Sequence, residues 1–270
     1  MKRVKLHTFI TSHRSTSNPP TNSSDPIAQD LLTYGACQNS TLLKEVISHS
    51  VPVFWFGNRQ AKIATVGINC GTEEFNPHNR LAQHWGQKSG IGMHNFQQHV
   101  GQIISHYDRY FTHPNSCQKV FWSKWESLLN MAGASYFKTT MIPTMIPTYH
   151  FDLVPWATSE NWGQLPAQVQ QDFLQISSKG RQHFFQKSSA NIFLCQGRTV
   201  TETAGPALGF WKSKQSTPWK KVGKSKFVIQ KHPTLDKWLI GWNKWYYSTQ
   251  DRAYVVQQLQ GLLAQQVSMI

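Results

Sequence analysis

The sequence predicts an α/β protein of three layers, with a central, mainly parallel sheet between helices. Two observations carry this prediction. Short apolar runs rich in β-branched and aromatic residues alternate along the chain with stretches of helical periodicity. Strands separated by helices imply parallel neighbours covered on both faces.

Residues 1–26 are basic, rich in Ser and Thr, and carry no acid before Asp25, so they read as a flexible basic arm. They lack the apolar segment of a secretory signal. A single domain is expected over 27–270. Val51–Phe56 and Lys62–Val66 read as buried strands. Phe96, Val100, Ile103, Ile104, Tyr107 and Phe111 recur at helical spacing, as do Val120, Phe121, Trp125, Leu128 and Leu129, with Gly133 as a stop. Tyr149–Val154 and Asn191–Gln196 are further strands. Between them a helix starts near Pro166 and carries Val169, Phe173 and Ile176. Lys226–Gln230 reads as the last strand, and Val255, Val256, Leu259, Leu262 and Leu263 as a closing helix.

Charge narrows the partner. The chain carries 27 Lys and Arg against 13 Asp and Glu, a formal charge of +14. Such self-repulsion points to a polyanion, nucleic acid above all. No apolar run reaches the roughly 18 residues of a membrane span, so no membrane partner is expected. Cys37, Cys70, Cys117 and Cys195 lie far apart, which argues against a zinc ribbon or a disulfide framework and suits a reducing cytoplasm. His99, His106 and His113 are spaced by seven but lack a carboxylate partner, so no metal or other cofactor is expected.

In parallel α/β folds the ligand lies beyond the carboxyl ends of the strands. Three segments follow predicted strands: Gly67-Ile68-Asn69-Cys70-Gly71 with Glu73-Glu74-Phe75, then DLVPWATSENWGQLP from Asp152, then His232-Pro233-Thr234. In this order, together with the helix VFWSKWESLLNMAGASY, they resemble the uracil-DNA glycosylase superfamily from about Val53 to about Trp238. Cys70 departs from the proline usual there, and Leu235 sits one place earlier than a leucine that some members push into the duplex. Residues 76–115 form an insertion near the expected site.

The resemblance implies a glycosylase that flips a nucleotide out of the duplex and cleaves its base from the sugar. It implies that His232 donates to the departing base and that Asn69 holds the attacking water. Glu73 and Glu74 are the nearest carboxylates able to act as base, and Phe75 offers a stacking ring. Uracil-specific members carry Asn at the position of Asp152 and Tyr at that of Gly71. An ionised Asp152 is acceptor-only and suits the exocyclic amine of cytosine, and Gly71 leaves room at C5. Together these suggest a 5-substituted cytosine, hydroxymethylated or glucosylated as in phage DNA, and an antiviral role. Uracil or mismatched-thymine repair, and an inactive DNA-binding protein on the same fold, remain alternatives. Lys220, Lys221, Lys224, Lys231 and Lys237 are the expected phosphate contacts, with Leu235 and Trp238 as candidate wedges. A monomer acting on double-stranded DNA is expected.

Overall fold

The computed structural model describes residues 30, 34–35, 39–71, 75, 90–112, 119–137, 145–244 and 248–267. The basic arm over 1–26, Glu73, Glu74 and residues 76–89 and 113–115 of the expected insertion lie outside them. The described residues form an α/β protein with an eight-stranded mixed sheet and seven α-helices.

The strands are β1 (Trp55–Phe56), β2 (Ile63–Asn69), β3 (Ala134–Ser135), β4 (Ile146–Val154), β5 (Ile192–Gln196), β6 (Lys220–Val222), β7 (Ser225–Lys231) and β8 (Trp238–Trp242). The helices are α1 (Ser40–Leu43), α2 (Val100–Asp108), α3 (Lys119–Met131), α4 (Ala167–Ile176), α5 (Ser178–Lys187), α6 (Arg198–Ala207) and α7 (Thr249–Val267). Strand order is β1-β4-β2-β5-β8-β7-β6, with β3 beside β4. β4, β2, β5 and β8 run parallel, whereas β1 runs antiparallel to β4, β7 to β8 and β6 to β7.

Alternation along β4 shows why both sheet faces are covered. Phe151 stacks on Phe184 of α5 at 5.4 Å on one face. His150, one residue earlier, meets the Trp122 ring of α3 edge-on at 4.9 Å on the other. Successive strand side chains point to opposite faces, so each face needs its own cover. The described part of the expected insertion belongs to the core: Tyr107 and Tyr110 pack on Phe56, and Phe111 packs on Trp122.

Two expectations change. The first strand is only Trp55–Phe56, because Val53 pairs outside the ladder, with the Pro155 carbonyl. More consequentially, the strand over Lys226–Gln230 is not parallel. It is the second arm of a hairpin turning at Gly223 (φ 58°), and it pairs antiparallel with β8, a strand the sequence reading missed. Residues 232–237 alone join β7 to β8, too few for a parallel crossover, which takes a dozen or more. The Trp238–Trp242 run directly after that short loop was the available signal. Among the described residues no helix is long and apolar enough to cross a membrane.

Candidate functional site

The carboxyl ends of β2, β4 and β5 surround a cavity of about 340 Å³. This lies in the range of small-molecule sites. β2 contributes Val66 to Asn69, followed by Cys70 and Gly71. β4 contributes His150 and Asp152, and Gln196 ends β5. Trp122 and Trp125 reach it from α3, Val200 from α6, and Asn161 and Trp162 from the segment before α4. The walls are therefore largely apolar, with Phe56 and three tryptophans among them and a few polar groups between.

Asp152 is the most unusual of these groups. It is 1% exposed, and neither carboxylate oxygen has an aligned hydrogen bond among the described residues. Its polar neighbour is His150 Nε2, 3.4 Å from Oδ1. A buried carboxylate without donors is costly, so native proteins nearly always supply partners. Gly67 makes this crowded arrangement fit: a Cβ there would lie 2.4 Å from Asp152 Oδ1 and 2.6 Å from His150 Nε2. Gly67 and Asp152 are register partners on adjacent parallel strands, so the missing side chain opens the floor of the cavity.

His150 is held from behind. Its Nδ1 lies 2.8 Å from Thr65 Oγ1, which also hydrogen-bonds the Tyr136 hydroxyl. When Tyr136 donates to Thr65 and Thr65 donates to Nδ1, the ring N–H is on Nε2, beside Asp152. Asn69, at the end of β2, donates through Nδ2 to Thr158 Oγ1 at 2.9 Å and to the Trp156 carbonyl at 3.4 Å. These bonds fix its amide and leave Oδ1 as the acceptor end. Gly71 lies exposed on the cavity lining, and a Cβ there would meet nothing within 4 Å.

The structure brings Asn69, Gly71 and Asp152 together and separates them from His232. Lys231 pairs with Trp238, which pairs with Ile192, which pairs with Ile63 at the start of β2. The His232 loop is thus at the amino edge of the parallel strands. Asn69 lies six steps of about 3.3 Å further on, about 20 Å away along the strand direction. The expected catalytic pairing of Asn69 with His232 is corrected accordingly. His232 instead organises its own loop: Nδ1 accepts from the N–H groups of Thr234 (3.2 Å) and Leu235 (3.1 Å). Burial and the nearby Lys237 charge hold its pKa below the usual value, against a raising hydrogen bond to the Leu208 backbone.

Other expected roles change as well. Phe75 is buried in the main core and is not among the residues lining the cavity, so it offers no stacking face there. Lys237 is 7% exposed and donates to the carbonyls of Ser188 (2.9 Å) and Ala190 (2.7 Å), a structural use that withdraws it from phosphates. Lys231 is paired with Asp236 at 3.1 Å, and it shares the amino edge with Leu235 and Trp238, far from the cavity. Lys220, Lys221 and Lys224 are exposed on the β6–β7 hairpin, at the same edge as the cavity, because Phe227 pairs with Trp242 at the end of β8.

Sequence reasoning missed His150, Trp122, Trp125 and Trp162, and read Gln196 only as the start of a phosphate-facing helix. His150 stands two before Asp152 on a strand, which places the pair on one face. Trp122 and Trp125 stand three apart on a helix, again one face. These spacings were readable; their meeting across the sheet was not. Comparison of the chain with protein-family models and with curated protein sequences finds no match.

Proposed function

We propose that this chain is a monofunctional DNA glycosylase that receives an extrahelical, 5-substituted cytosine and hydrolyses its bond to the sugar. The observation that carries the reading is Asp152, a buried carboxylate without an aligned donor among the described residues, in the wall of a largely apolar cavity. Such a group is satisfied by a ligand that brings N–H groups, as the exocyclic amine of cytosine does. The opening at Gly71 leaves room for a substituent on the base. The exposed lysines of the β6–β7 hairpin, on the same sheet edge as the cavity, suit the phosphate backbone to one side of the flipped nucleotide.

Bond cleavage leaves positive character on the sugar and negative charge on the base. Asn69 Oδ1 orients a water toward the sugar, with the amide anchored by Thr158 and Trp156. With His232 at the other edge, the developing base anion falls to lining groups such as the Gln196 carboxamide, buried at the end of β5. Preorganised donors of this kind are worth several kcal/mol, roughly 3–4 for one well-placed group. The finer reading of the fold is a three-layer, uracil-DNA glycosylase-like domain, acting as a cytoplasmic monomer on double-stranded, modified DNA such as that of phages, in antiviral defence.

The position of His232 favours a second reading, a protein that binds a flipped base without cleaving it. One experiment separates the two. Duplexes carrying 5-hydroxymethylcytosine, glucosylated cytosine, uracil or no modification are incubated with the protein and probed for abasic sites. The proposal expects abasic product from a 5-substituted cytosine, lost in Asn69→Ala and retained in His232→Ala. Binding without product from any duplex sustains the second reading, and product from uracil alone overturns the assignment of the base.

A further inference from the structure

We infer that the β6–β7 hairpin is a one-sided clamp on the DNA backbone, displaced from the base cavity along the carboxyl edge of the sheet. The inference rests on the proposed binding of DNA at that edge. The sheet order separates the lysines that the sequence groups together. Val222 pairs with Ser225, and Phe227 pairs with Trp242, so the hairpin tip projects where β8 ends. β2 and β6 are four strand positions apart. At about 4.8 Å per strand, the clamp lies about 19 Å from the cavity floor. A duplex following this edge rises about 3.4 Å per base pair, so contact falls about five to six base pairs from the extrahelical nucleotide.

The charges along the edge are uneven. Lys244, after β8, and Arg198, after β5 and paired with Glu202 at 2.8 Å, lie between the cavity and the exposed Lys220, Lys221, Lys224 and Lys226. Lys221 and Lys226 are direct cross-strand partners. Like charges in that register destabilise a hairpin, a cost that a bound polyanion offsets. On the other side of the cavity the edge is formed by residues 155–160, held to the segment over 44–50. Ser159 N–H bonds the Glu45 carbonyl there, and Glu45 and Glu160 stand against Lys44 among the described residues. The field therefore draws a phosphate backbone toward β6 and away from β4.

The test reads the salt dependence of binding to an unmodified duplex, which needs neither a particular base nor catalysis. Each phosphate contact contributes a slope of about 0.9 in log K against log salt. Replacing Lys220, Lys221 and Lys224 together by Ala is expected to lower the slope by about 3 units. Lys231→Ala, at the opposite edge, and Glu160→Lys, on the far side of the cavity, are expected to leave it unchanged. The replaced lysines are exposed, and thermal unfolding of the triple variant checks that the fold is kept. An unchanged slope in the triple variant overturns the clamp. A slope raised by about one unit in Glu160→Lys overturns its one-sidedness. Abasic product absent from every duplex, with the slope still set by the hairpin, refutes the glycosylase reading and upholds the clamp.

Discussion

Replacing Asp152 by Asn is expected to make the free protein more stable while removing its preference for cytosine. The carboxylate is 1% exposed, has no aligned hydrogen bond among the described residues, and has His150 Nε2 at 3.4 Å from one oxygen. An unsatisfied buried polar group costs about 1–3 kcal/mol, and a charged one more. His150 offsets part of this, and the amide keeps an acceptor for Nε2 but carries no charge. The new amide nitrogen brings buried N–H groups that need acceptors in turn, which leaves a net gain of about 1 kcal/mol. For a chain of this size that raises Tm by about 2–4 °C. Thermal unfolding of both proteins without DNA measures it, and fluorescence binding to a duplex with 5-hydroxymethylcytosine measures the functional loss. A functional site that stores instability should gain stability when disarmed. A variant with lowered Tm would refute the reasoning, because it would mean that the carboxylate is a structural anchor.

Three further outcomes follow from the same geometry. His232→Ala should cost about 1–2 kcal/mol in urea unfolding, because the Thr234 and Leu235 N–H groups lose their acceptor, yet leave any abasic-site yield intact. Gly67→Ala should abolish base binding with only a modest stability loss of about 1–3 kcal/mol, since the new methyl must displace the Asp152 and His150 side chains; unaltered binding would show that the cavity floor lies elsewhere. Burial and the Lys62 charge lower the Lys237 pKa to about 8, against the raising effect of Asp236. The unfolded value is roughly 10.4, so the unfolded chain binds more protons between these limits, and stability from this group rises with pH across them by at most about 1.4 kcal/mol per unit. Lys237→Met should flatten that rise when urea unfolding is compared near pH 8 and near pH 10.

The sequence by itself determined what depends on neighbours in the chain. Its apolar runs and helical spacings located β2, β4, β5, α3, α4 and α7 to within a few residues. Strand-end position marked Asp152, Asn69 and Gly71 as neighbours of a ligand site, whereas His150, on the same strand face as Asp152, was not singled out. The charge, +14 over the chain, indicated a polyanion without saying where it lies. Tertiary structure decided the rest, because strand direction is a property of non-local pairing. Treating β7 as parallel put His232 beside Asn69; its antiparallel ladders with β6 and β8 put the two at opposite edges. The same reversal divided the lysines, leaving Lys231 and Lys237 at the amino edge and carrying Lys220, Lys221 and Lys224 to the edge that bears the cavity. Lys237 illustrates the general reason: a lysine in a basic run looks solvent-facing in sequence, and only the fold shows that two backbone carbonyls hold it inside.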